Sequence, residues 1–412
     1  MNRTPADYIS LNIEPLFNLI KSRTQVWARL PLGVWGRINI VKMILLPKIL
    51  YILWHTPVYL PLKLFKSMEA ILRTFIWGTN RHKLAWRVLK NPTDLGGTAL
   101  PDLNLYYLAS QLSQLYHIDK TDRLRFLTLL CPQWAQLTTD PLTAVAVGHR
   151  GGGSGGGRGS LLYQYRRIWD IAAKILGTPT HNDYTPLWHN KILPEFISIP
   201  NTNIWSEHGI YYLHHLFSNG TLKNFERLQN EFLLPNSLLF QFLQVHHAVQ
   251  AQFTQPLPQS SPNVVMAIVK GEDPRRLISD FYVMLLTPSS TVLAYNLRPR
   301  WEREVGLLED EEWSEALDAC KTVSPKLSDR LTQLYVVHRA YLTPLRIARF
   351  RQQSSTSCTM CNQATGTFFH LLWACSVLQG LWKQIVDCLH DGTGSPLSLD
   401  SKQCLLGIFP DA

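Results

Sequence analysis

Apolar positions recur at helical intervals through much of this chain. In "PLKLFKSMEAILRTFIWG" (61–78), Phe65, Met68, Leu72 and Phe75 fall on one face. Pro61 suits the start of that helix and Gly78 its end, so the pattern predicts a helix between them. Ahead of it, "GRINIVKMILLPKILYILWHTP" (36–57) is apolar on most faces, with Pro47 expected to kink or divide it. Asn39, Lys42, Pro47 and Lys48 interrupt its apolar run, which therefore reads as a buried helix and not a membrane span. "DLGG" (94–97) predicts a turn, and "LNLYYLASQLSQLYHI" (103–118) returns to helical spacing. Later stretches, "TLKNFERLQNEFLL" (221–234) and residues 298–323, repeat the pattern, with a new helix expected after Pro235 capped by Asn236 or Ser237. Strand alternation is nowhere sustained. The predicted fold is mainly α, multi-domain and helical.

The clearest boundary is "HRGGGSGGGRGS" (149–160), where seven of the nine residues 151–159 are glycine. Such a segment cannot build a core and behaves as a linker. The expected division is a basic helical domain over 1–148, the linker over 149–160, a helical domain over 161–297, and a C-terminal helical segment over 298–412. No basic region followed by an apolar stretch opens the sequence, so an intracellular protein, cytoplasmic and nuclear, is expected, with no membrane partner.

Charge changes the picture. The formal net charge is +10, and residues 1–150 hold 18 Lys+Arg against 8 Asp+Glu, while residues 151–412 hold 22 of each. The whole surplus sits in the first third. Concentrated positive charge attracts phosphates, so a polyanion partner is one reading and a merely basic soluble surface the other.

Seven cysteines are present, and three gather in "CTMCNQATGTFFHLLWAC" (358–375) with His370. Cys358-x2-Cys361 directs two thiolates at one point from a turn, and His370-x4-Cys375 returns two more ligands. Thiolate and imidazole donors suit zinc, and four protein ligands leave no open position, so the implied role is structural. Such binding supplies about 10–16 kcal/mol of apparent folding energy in small modules. Free buried thiols are the alternative. Phe368, Phe369, Trp373 and Trp382 flank the cluster; stacking on bases is conceivable chemistry, but a small core beside the metal is the expectation. The acidic run at 309–312 projects to different helix faces and reads as solvated. His214, His215, His246 and His247 read as structural. No nucleophile elbow, phosphate loop, HExxH or dinucleotide fingerprint occurs, so no catalytic residue is assigned.

Several stretches carry a resemblance. "LPLGVWGRINIVKMILLPKILYILWHTPVYLP" (30–61), "FIWG" (75–78) and "GGTALPDLNLYYLASQL" (96–112) are similar to the thumb region of LINE-type non-LTR retrotransposon reverse transcriptases. Residues 205–245 resemble the connecting segment called the wrist. "HRAYLTPLRIARF" (338–350), the Cys-Cys-His-Cys cluster, "VLQGLW" (377–382) and "LLGIFP" (405–410) resemble that family's C-terminal segment. The resemblance implies a protein that binds template RNA or an RNA–DNA hybrid during target-primed reverse transcription. It also implies a polymerase palm and an endonuclease beyond the residues present, since no two aspartates are adjacent here. This chain is therefore expected to be non-catalytic on its own, with the palm and endonuclease portion as a further partner. Candidate phosphate-binding residues are Arg37, Lys42 and Lys48 on the first helices and Arg81, Lys83, Arg87 and Lys90 in the basic loop. A domesticated or degenerate fragment acting as a zinc-containing protein scaffold, or without a selected role, is the alternative. A thumb without its palm is expected to expose apolar surface on the opening helices.

Overall fold

A computed structural model describes residues 5–56, 58–78, 82–120, 161–176, 187–188, 202–252, 276–294, 297–351, 354–394 and 398–409. The glycine-rich segment lies outside them. The described residues are mainly helical: α1 (Glu14–Trp27), α2 (Val34–His55), α3 (Leu62–Trp77), α4 (Trp86–Lys90), α5 (Leu103–Lys120) and α6 (Leu161–Leu176). A two-residue hairpin of β1 (Phe217–Ser218) and β2 (Thr221–Leu222) follows, antiparallel, with Phe217 opposite Leu222. Then come α7 (Phe225–Phe232), α8 (Leu239–Gln252), α9 (Leu277–Ala294), α10 (Arg298–Val305), α11 (Asp310–Thr322), α12 (Leu327–Val337), α13 (Pro344–Ala348) and α14 (Ser376–Thr393).

The breaks have local causes. Gly78 ends α3 at φ 58°, and Gly306 at φ 87° separates α10 from α11 where the pattern suggested one helical stretch. Pro47 does not end α2. The five residues Val41–Leu45 form a π turn, and the Leu46 N–H reaches back to the Val41 carbonyl. The wider turn accommodates the proline ring, which would otherwise clash with the carbonyl four residues earlier. The resulting 22-residue helix is long and apolar enough to cross a membrane by length and composition. Ile38, Val41, Leu45, Ile49 and Leu53 are buried on one stripe, while Met43, Ile44 and Tyr51 are exposed. Residues 309–312 open α11: Glu309 accepts from the helix at its cap, and Glu312 accepts from the Glu309 N–H at 2.8 Å. Their carboxylates therefore cap a helix start, where negative charge also meets the positive end of the dipole.

The described residues of Met1–Leu19, Lys48–Lys66 and Leu103–Pro288 form one compact unit. Those of Ile20–Pro47, Ser67–Asp102 and Ser289–Ala412 form the other. Each is thus assembled from three separated stretches, whereas composition alone divides the chain at the glycine-rich segment.

In the first unit, α5 satisfies the carbonyls that the end of α2 leaves open. Gln111 Nε2 donates to Leu53 O at 2.6 Å and Gln114 Nε2 to Trp54 O at 2.9 Å. Buried Tyr107 donates to Val58 O at 2.8 Å and accepts from Leu60 N–H at 3.0 Å. A second core gathers Trp188, Trp205, Leu213, Leu228, Phe242 and Val245 around the hairpin. His215 sits beside it and accepts the N–H groups of Tyr211 and Tyr212 at Nδ1, 3.0 and 3.2 Å away. Burial, with His214 and Lys223 adding, pulls the imidazole down to about 4.

In the second unit, the turn at 93–97 is held tightly. Gly96 is left-handed at φ 76°, and a Cβ on Gly97 would lie 2.0 Å from Asn91 O. His338 Nε2 meets Gly96 O at 2.5 Å. Trp301 is fully buried and donates from Nε1 to Val337 O at 2.9 Å.

Candidate metal centre

The metal cluster grows from a turn and two short helical ends within the second unit. Ser357 bridges Thr365 across an antiparallel pair, and Cys358 N–H donates to Ala364 O at 2.7 Å. Asn362, directly after Cys361, is left-handed at φ 56°, and its N–H returns to Cys358 O at 3.0 Å. Asparagine tolerates that conformation better than other residues with a Cβ. Thr367 Oγ1 then accepts the His370 N–H at 3.1 Å. Five residues, His370–Ala374, form a π turn that closes with the Cys375 N–H on His370 O, and α14 begins at Ser376. The π turn thus places the histidine at its start and Cys375 at its end.

Sγ of Cys358 and Sγ of Cys375 lie 3.9 Å apart, and Sγ of Cys361 and Nε2 of His370 lie 3.4 Å apart. All four ligand atoms fall within 4.8 Å of one another. A tetrahedral ion with metal–sulfur bonds of about 2.3 Å and metal–nitrogen bonds of about 2.0–2.1 Å separates its ligand atoms by about 3.5–3.8 Å. The donor set fits such an ion, and the two pairs at 3.9 and 3.4 Å lie near that spacing. Cys358 and Cys375 are fully buried; Cys361 and His370 are half-buried. N–H groups of Gln363 and Ala364 aimed at Cys361, with His370 beside it, pull that thiol down to about 6. Burial pushes the Cys375 thiol up, against the N–H groups of Val377 and Leu378. A cation at the centre would hold both as thiolates.

The cluster is anchored on its surroundings. Gly366 packs so close to Pro344 of α13 that an added Cβ would lie 2.8 Å from its ring. Buried Phe368 meets Trp301 edge to face, with centroids 6.0 Å apart, and the Arg339 guanidinium lies 4.9 Å from the Phe368 ring. Trp373 and Trp382 pack together at 5.8 Å, and Trp382 Nε1 donates to Leu372 O at 2.8 Å. Phe368 is thus buried against Trp301, while Phe369, Trp373 and Trp382 are half-buried.

The seven basic candidates are placed differently. Arg37 donates to Phe75 O at 2.8 Å and to Ala28 O at 3.3 Å, clamping helix ends. Lys42 Nζ donates to Thr98 O at 3.2 Å, and burial pulls its ammonium below the ordinary value. Lys90 bridges Glu69 and Asp102, the latter at 2.7 Å, with all three side chains mostly covered. Lys83 is exposed, and its Nζ lies 4.8 and 5.1 Å from the rings of Tyr335 and Tyr341. Lys48 and Arg87 are exposed. Arg81 lies outside the described residues.

Sequence reasoning passed over Arg339, which joins Glu304 at 2.6 Å and covers the rings of both Trp301 and Phe368. Its carboxylate partner lies 35 residues back in the chain, and no local spacing marks it. No protein-family model matches this chain.

Proposed function

We propose that the protein is a non-catalytic nucleic-acid-binding chain whose C-terminal module is held by one structural zinc ion. It corresponds, in this reading, to the thumb, wrist and Cys-Cys-His-Cys segment of a LINE-type reverse transcriptase, acting inside the cell on RNA or an RNA–DNA hybrid. The observation that carries the reading is the convergence of Cys358, Cys361, His370 and Cys375. Four protein ligands complete a tetrahedron, so the ion serves shape and not turnover. Support for the nucleic-acid half comes from the basic first third and the ordered resemblance along the chain. Exposed Met43, Ile44 and Tyr51 on α2 agree with a helix that docks on a further domain. The full chain is expected to bind RNA with an affinity that falls steeply between about 50 and 200 mM salt, because phosphate contacts release counterions. Affinity indifferent to salt over that range contradicts the reading.

A second reading, a protein-binding scaffold, is favoured by α14. Val377, Leu381, Ile385 and Leu389 recur every four residues on it and are exposed. Crosslinked recovery of protein partners without RNA would select this reading.

A further inference from the structure

Five arginines converge on one cleft of about 590 Å³ beside the metal cluster. Arg300 and Arg303 come from α10, Arg339 from the end of α12, and Arg346 and Arg349 from α13 and its C-terminal cap. Glu304 is the one acidic residue on the wall, and Arg339 already engages it at 2.6 Å. Arg346 gives one N–H to Arg339 O, and Arg300, Arg303 and Arg349 are exposed with no ion pair among the described residues. Like charges gathered on one wall repel one another, and an anion relieves that repulsion.

The forks of guanidinium groups match phosphate oxygens, and Thr343 and Thr367 line the same space. The nearby rings are taken: Phe368 is buried against Trp301, and Tyr341 lies beneath Lys83. A chain of phosphates finds several separated cations here. A cleft of about 590 Å³ has room for a short stretch of one strand.

We propose that this cleft holds consecutive phosphates of a single-stranded RNA backbone, without reading its bases. The inference rests on the nucleic-acid reading above but uses none of the basic residues expected from the sequence.

The test compares the full, zinc-loaded protein with Arg300→Gln/Arg303→Gln/Arg349→Gln and with Lys48→Gln/Arg87→Gln. The probes are a labelled twelve-nucleotide oligouridine and inorganic tripolyphosphate, and zinc content reports that each variant is folded. The arginine variant is expected to lose at least tenfold in RNA affinity and to reduce the slope of log K against log salt by about 2. RNA binding unchanged in that variant overturns the cleft while leaving the nucleic-acid reading intact. Tripolyphosphate binding lost in the variant, from a wild type that binds no RNA, overturns the RNA source and the nucleic-acid reading together.

Discussion

Three cations of the basic first third and three of the charge-neutral remainder are used in opposite ways. Residues 1–150 carry the whole positive surplus, yet Arg37, Lys42 and Lys90 are spent on carbonyls and carboxylates of the same unit. Residues 151–412 sum to zero, yet Arg300, Arg303 and Arg349 stand exposed around one cleft, with no ion pair among the described residues. A count of charges measures what a segment contains, not what it presents. Acids of the same stretch are engaged elsewhere, Asp310 with Arg298 and Glu312 with Lys402, and Arg300, Arg303 and Arg349 have no ion pair among the described residues.

Several substitutions test this contrast. The largest effect is expected from His370→Ala, which removes a ligand and leaves three thiols around an incomplete shell. The second unit should lose most of its metal-linked stability, seen as a large fall in melting temperature that added chelator does not deepen. Lys90→Met comes next. It leaves Glu69 and Asp102 facing each other with little solvent, and a loss of about 2–3 kcal/mol is expected from denaturant unfolding. A stability within about 0.5 kcal/mol of wild type would mean that Lys90 is as free as its sequence context suggested. Arg87→Glu, on an exposed side chain of the same short helix, should change stability by less than about 0.5 kcal/mol.

A pH effect in the first unit completes the ranking. Burial, with His214 and Lys223 adding, disfavours the protonated form of His215 in the fold, and its value lies near 4 instead of 6.5. The unfolded chain then binds a proton that the folded chain refuses, and stability falls as pH drops from about 6.5 towards 4. Chemical denaturation of His215→Gln should show a flatter dependence over that window; an unchanged slope would count against a buried, neutral imidazole in the fold.

Much of the helical framework was legible because it rests on local signals. The α3 boundaries follow from Pro61 and Gly78, and the turn at 94–97 from its glycines. The four candidate metal ligands were legible because their spacing lies within eighteen residues. What escaped was non-local. The π turn before Pro47 depends on how a whole helix absorbs a ring. Tyr107 finds its partners 47 and 49 residues away, and Lys90 finds Glu69 21 residues back. The arginine cleft draws on three segments whose charges cancel in any window long enough to hold them all.

The central claim is the four-ligand metal centre, and metal content of the purified full chain tests it most directly. One equivalent of zinc per chain is expected, falling well below half an equivalent in Cys361→Ser and in His370→Ala. Less than half an equivalent in the wild-type protein, unchanged by either substitution, would contradict it.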